Sequence, residues 1–162
     1  MDKKKINLLI VDDEKRFLES MKRRLELRGF NVIAVDRGEK AIEAAREHDI
    51  DMAIVDLKMP GMDGEAVLEA LKREHQRIEV VILTGHGSMG SASACAMKGA
   101  CSYLQKPCEL DHILEVLARA YRKQCMNRMK IGKERMDEIL GPLTGHSPLE
   151  VIRRLKELEE KG

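Results

Sequence analysis

The stretch INLLIVDD, residues 6–13, decides the fold. Ile6–Val11 is a near-continuous aliphatic run, the pattern of a strand covered on both faces, and it stops at two carboxylates, Asp12 and Asp13. Reading outward, Glu14–Arg28 sets Phe17, Leu18, Met21 and Leu25 on one helical face and ends at Gly29, a good helix stop. Asn31–Val35 predicts a second strand, Glu39–His48 an Ala-rich helix, and Met52–Val55 a third strand closed by Asp56. Residues 58–64, KMPGMDG, read as a loop because Pro60, Gly61 and Gly64 punctuate them. Then come helix Glu65–Glu74, strand Val80–Leu83 closed by Thr84, a Gly/Ser loop, helix Ser91–Lys98, strand Cys101–Leu104 and a helix from Leu110. Strict alternation of strand and helix implies a doubly wound α/β sheet of parallel strands with helices on both faces.

In such a sheet, ligands bind outside the carboxyl ends of the strands. The polar residues at the run-ends are Asp12, Asp13, Asp56, Thr84 and Lys106, and the topology sends them all to that edge. Carboxylates crowded together raise one another's pKa, a conflict that a hard cation resolves. Mg²⁺, or Mn²⁺ in its place, takes one or two carboxylates and keeps positions for water and phosphate oxygens. Asp56 stands alone at its strand end before a flexible loop, so it is the candidate to attack phosphorus and become an acyl phosphate. Lys106 and Thr84 offer the cation and hydroxyl that compensate charge on a moving phosphoryl group.

Composition narrows the alternatives. With 162 residues, 43% hydrophobic and 35% charged, the chain has the size of one packed domain with an appendage, and no apolar run reaches the length of a membrane span. The apolar run near the N-terminus is too short for a secretion signal, so the expected location is cytoplasmic. Cys95, Cys101, Cys108 and Cys125 lack metal-ligand spacing and read as reduced thiols. His48, His75, His112 and His146 sit in polar contexts and read as surface residues. Two Phe, two Tyr and no Trp argue against a flavin carrier on the same fold.

VDDE at 11–14, DLKMPGMDG at 56–64, TGHG at 84–87 and YLQKP at 103–107 together resemble the receiver domain of two-component response regulators. The resemblance spans roughly residues 5–120. It implies a flavodoxin-like (βα)5 fold with strand order 2-1-3-4-5 and transfer of a phosphoryl group to Asp56 from a sensor histidine kinase or phosphotransfer protein. It further implies that Asp13 and Asp56 ligate Mg²⁺, that Asp12 acts mainly through water, and that the backbone carbonyl of Lys58 completes the protein ligands. Thr84 and Lys106 would hold the phosphate, and the Lys106–Pro107 bond would be cis. Tyr103 matches the family's switch aromatic, while Lys58 and His86 occupy positions that tune phosphoryl lifetime. The activity implied is that of a switch, with self-catalysed transfer and slow autodephosphorylation rather than turnover of a substrate.

The boundary is drawn at residue 124, with 1–124 as receiver and 125–162 as a helical C-terminal extension. Residues 1–118 carry 18 Lys+Arg against 21 Asp+Glu, and residues 119–162 carry 11 against 7, so the basic excess lies in the tail. Arg119–Arg135 reads as a continuation of the fifth helix, solvated or facing a protein partner rather than nucleic acid. Ser147 with Glu150 resembles a capping box, Pro148 suits a first helical position, and Leu149–Glu160 predicts a terminal helix. LTGHSPLEVIRRLKELEE loosely resembles the segment that opens the AAA+ ATPase of enhancer-binding activators, without a P-loop after it. Two readings stay open: a stand-alone switch that binds a protein partner or a second copy of itself, and a transcription regulator whose DNA-binding or AAA+ part is reduced or missing from this chain.

Overall fold

The computed structural model describes residues 5–142 and 145–161. Five strands, β1 (Asn7–Val11), β2 (Asn31–Val35), β3 (Met52–Val55), β4 (Glu79–Thr84) and β5 (Ser102–Gln105), alternate with α1 (Lys15–Glu26), α2 (Gly38–Glu47), α3 (Gly64–Glu74), α4 (Met89–Met97) and α5 (Leu110–Met129). Two more helices follow, α6 (Lys133–Leu140) and α7 (Pro148–Lys161). The strands form one parallel sheet in the order β2-β1-β3-β4-β5, the order the sequence reading expects.

The aliphatic runs follow from period-two alternation between two cores. Leu8, Ile10, Met52, Ile54, Val81 and Leu83 enter the core shared with α1 and α5. Leu9, Val11, Ala53, Val55, Val80 and Ile82 enter the opposite core, beneath α2, α3 and α4. With both faces covered, the interiors of β1, β3 and β4 stay apolar until the strands end. The register aligns those ends: Val11 pairs with Val35 and Val55, Val55 with Ile82, and Thr84 with Gln105.

Beyond α5 the structure corrects the sequence reading. The continuous helix expected through Arg135 ends at Met129, because Lys130 turns left-handed (φ 55°) and the amide of Ile131 closes back on the Met126 carbonyl at 3.1 Å. Gly132 then starts α6, which buries Met136 and Leu140 in the α1/α5 core. α7 returns along α5 and adds Ile152 and Leu155 to the same core. Its start follows the expectation in part: Ser147 Oγ accepts the Glu150 amide at 3.3 Å, but the Glu150 carboxylate pairs with His146 Nδ1 at 2.7 Å instead of closing the box.

Ion pairs account for much of the basic stretch. Arg122 pairs with Asp137, Lys123 with Glu79, Arg128 with Asp51 and Glu159, and Arg135 with Glu138. Glu159 also accepts a hydrogen bond from the Tyr121 hydroxyl, so α7 is tied to α5 by polar and apolar contacts together. Gln124 Nε2 donates to the carbonyls of Asp51 (2.7 Å) and Arg77 (2.8 Å), pinning α5 to the floor of the sheet. His48 and His112 are exposed as expected, whereas His146 is half-buried in its Glu150 pair and His75 is half-buried with Nε2 enclosed. All four cysteines are free, and burial pushes each thiol's pKa upward. Among the described residues no helix is long and apolar enough to cross a membrane.

Candidate functional site

Asp12, Asp13, Asp56, Thr84 and Lys106 each stand where a strand stops. The Asp12 amide still donates to the Val35 carbonyl at 3.1 Å, so the chain is extended there, while Asp12 Oδ1 accepts the Glu14 amide at 2.9 Å and starts the turn into α1. The Asp56 amide donates to the Val11 carbonyl at 3.0 Å, which fixes β3's last residue beside β1's. The Lys106 amide donates to the Thr84 carbonyl at 2.9 Å and holds β4 and β5 level. The result brings one carboxylate oxygen from each of Asp12, Asp13 and Asp56 within 4.8 Å of the others.

Two of these carboxylates are buried. Asp12 is 2% exposed and Asp56 3%, whereas Asp13 is exposed to solvent. Lys106 Nζ donates to Asp12 Oδ2 at 2.6 Å, reaches Glu14 at 3.4 Å, and stands 4.0 Å from the centroid of the Phe17 ring. Burial raises the Asp12 pKa by more than the Lys106 hydrogen bond and the Glu14 amide lower it. Burial pulls the Lys106 pKa down, but the Asp12 hydrogen bond and the charges of Asp12, Asp56 and Glu14 outweigh it, and the net shift is upward. One ammonium facing three carboxylates leaves an excess of negative charge.

Asp56 Oδ1 sharpens the point, because it is buried and accepts no hydrogen bond from the described residues. A buried carboxylate oxygen without a partner is costly, and native structures avoid it unless something else satisfies the group. A hard divalent cation coordinated by carboxylate oxygens would do so. Asp12, Asp13 and Asp56 therefore fit such an ion, with Asp13 on the solvent side. A cleft of about 560 Å³ lined by Asp13, Asp36, Arg37, Glu39, Pro60 and Gly61 opens beside it.

The remaining predicted residues surround this centre. Thr84 is fully buried, and its Oγ1 accepts the amide of His86 at 3.1 Å. The His86 and Lys58 residues are exposed in the loops after β4 and β3. Tyr103, opposite Ile82 on β5, is half-buried, with its hydroxyl 2.7 Å from Ser91 Oγ at the start of α4. The Lys106–Pro107 bond is cis.

Sequence reasoning passed over three participants. Glu14 is a second carboxylate for Lys106, and its place in the VDDE run was the available signal. Phe17 forms a ring face under the ammonium, although its helical spacing reads only as core. Gly64 lets the loop after β3 fold back on itself: its amide donates to Leu57 at 2.7 Å, and an added Cβ would stand 2.2 Å from the Asp56 carbonyl oxygen.

Comparison with known proteins gives a match to the response regulator receiver domain family over residues 8–118. The chain is 32% identical over 111 residues to the DNA-binding transcriptional regulator NtrC of Escherichia coli K12, an alignment covering 68% of this chain and 24% of that protein. It thus spans about a quarter of that relative's length. Among solved structures, a CheY-like receiver domain protein from Methanospirillum hungatei JF-1 superposes with a TM-score of 0.73 at 26% identity, covering 75% of this chain and 97% of that one. The CheX-CheY-BeF3-Mg complex from Borrelia burgdorferi gives 0.68 at 27% identity, covering 72% and 89%.

Proposed function

The chain belongs to the response regulator receiver family, and from that premise we propose that Asp56 accepts a phosphoryl group from a histidine kinase or phosphotransfer protein, with a divalent cation held by Asp12, Asp13 and Asp56. The observation that carries this reading is the buried, unpartnered Asp56 Oδ1 inside a cluster of three carboxylates beside a single ammonium. The Borrelia complex named above holds Mg and BeF3 together on a related fold, which supports Mg²⁺ as the cation. The Lys58 carbonyl lies in the loop that follows Asp56 and is the further protein ligand in this reading.

Bound there, Mg²⁺ would neutralise charge on the phosphoryl oxygens and lower the repulsion between them and the carboxylates. The chain's own residues do the rest. An Asp56 carboxylate oxygen attacks phosphorus in line, the bond from phosphorus to the donor's imidazole nitrogen breaks, and that nitrogen keeps the electron pair and takes a proton from solvent. Lys106 turns from Asp12 to the new phosphate, and the Thr84 hydroxyl donates to it. The rigid sheet edge positions the acceptor, so the chain serves as a switch whose chemistry is its own modification.

The face bounded by α4, β5 and α5 is where a downstream protein partner would read the change. α4 carries no charged residue, and it exposes Met89 and Met97 at 90% and 89%. The internal pairing of Arg122, Lys123, Arg128 and Arg135 lowers the positive charge left for nucleic acid phosphates. Incubation with Mg²⁺ and acetyl phosphate should add one phosphoryl mass to the wild-type chain, as read by intact mass spectrometry, and Asp56→Asn should abolish it. A labile adduct that persists in Asp56→Asn would place the acceptor elsewhere.

A further inference from the structure

Tyr103 is held from three directions by the start of α4. Its hydroxyl lies 2.7 Å from Ser91 Oγ and accepts the Ser88 amide at 3.3 Å. It also abuts Gly87, where an added Cβ would stand 2.9 Å from the hydroxyl and 2.6 Å from Gln105 Nε2. Ser91 Oγ is the hub of this contact. It accepts the Ser88 amide at 3.1 Å, lies 3.1 Å from the Ser88 hydroxyl, and donates to the Ser88 carbonyl at 3.0 Å.

These contacts fasten the loop that begins at Thr84. Thr84 Oγ1 is engaged by the His86 amide, and Lys106, at the end of Tyr103's strand, is engaged by Asp12 and Glu14. To grip a phosphoryl group on Asp56, both must turn toward it, so these contacts belong to the arrangement before transfer. Movement of Thr84 draws the Gly85–Ser88 loop with it, and that loop is anchored to Tyr103 through Ser91.

We infer, building on the reading of Asp56 as acceptor, that Ser91 is a positioning residue whose hydroxyl latches Tyr103 and thereby sets how often the Thr84 loop reaches the phosphoryl-holding arrangement. A competent arrangement that is only fractionally populated slows uptake in proportion to its fraction. Removing one hydrogen bond from the competing arrangement shifts that fraction by about 2- to 12-fold.

The test compares the rate of phosphoryl uptake from acetyl phosphate with Mg²⁺ in the full chain and four variants. Ser91→Ala and Tyr103→Phe should each speed uptake by about 2- to 12-fold, and Ser91→Thr, which restores a hydroxyl, should return the wild-type rate. Tyr103→Phe leaves the α4 cap intact, so it keeps the proposal testable if Ser91→Ala weakens the helix start. The double variant Ser91→Ala/Tyr103→Phe should be no faster than Tyr103→Phe alone, because the Ser91 contact is one of those that the Tyr103 hydroxyl makes. Unchanged rates in both singles, or effects that multiply in the double, would overturn the latch while leaving Asp56 as acceptor. A wild-type chain that takes up no phosphoryl group would overturn the acceptor assignment and the latch with it.

Discussion

A Cβ on Gly64 would stand 2.2 Å from the Asp56 carbonyl oxygen and 2.6 Å from Leu57 Cα, both backbone atoms that cannot swing aside. The loop after β3 must therefore move if the residue changes, and it carries Asp56 at its root. Gly64→Ala should cost about 1–3 kcal/mol by overpacking and backbone displacement, read as a lower Tm, and should slow phosphoryl uptake. A variant with wild-type Tm and uptake would show that the loop accommodates the methyl group without cost. At this scale the sequence was informative about charge and silent about contact. Asp12, Asp13, Asp56, Thr84 and Lys106 were legible because a sheet covered on both faces tolerates polar residues only at its ends. That Lys106 would bind Asp12 across 94 positions and lie over Phe17 was not, since nothing local encodes a pairing between β1 and β5.

Among the elements, strands were read to within a residue or two at each end, as expected when buried runs are bounded by polar stops. α4 was predicted to begin at Ser91 and begins instead at Met89, because Ser88 and Ser91 cap one another and Ser91 lacks the acidic side chain that makes such a box visible in sequence. The end of α5 was the larger miss. Met129, Lys130 and Ile131 carry no strong stop signal, and the break is imposed by burial of Met136 and Leu140. Lys130 bears the consequence, holding φ at 55° where a side chain is disfavoured. Lys130→Gly should therefore stabilise the chain by about 0.5–1 kcal/mol, the relief of strain exceeding the added flexibility of the unfolded chain. Equilibrium urea unfolding measures it, and a lower midpoint at unchanged slope would show that the Lys130 conformation is not strained.

For the whole molecule, the open question is whether the chain after residue 124 is a separate appendage or part of the receiver's core. The packing across that line is dense: Met136, Leu140, Ile152 and Leu155 share one apolar cluster with Leu8, Leu25, Phe30 and Tyr121, and Arg128 bridges Asp51 on the floor of the sheet to Glu159 on α7. If these residues unfold with the sheet, a cavity made in α7 must be felt by the entire chain. Leu155 is fully buried, and Leu155→Ala should cost about 2–5 kcal/mol, lowering the midpoint of a single cooperative urea transition followed by far-UV circular dichroism and by the fluorescence of Tyr103 and Tyr121 alike. Removal of residues 125–162 would strip cover from Tyr121 and Phe30 and should lower the midpoint further. Two separated transitions, with the sheet melting at the wild-type midpoint in both variants, would instead establish the tail as an independent unit. The first outcome would also constrain the output of the switch. A tail that folds with the receiver would keep part of α5 covered by α7, so a partner would meet α4 and β5 with only the uncovered side of α5.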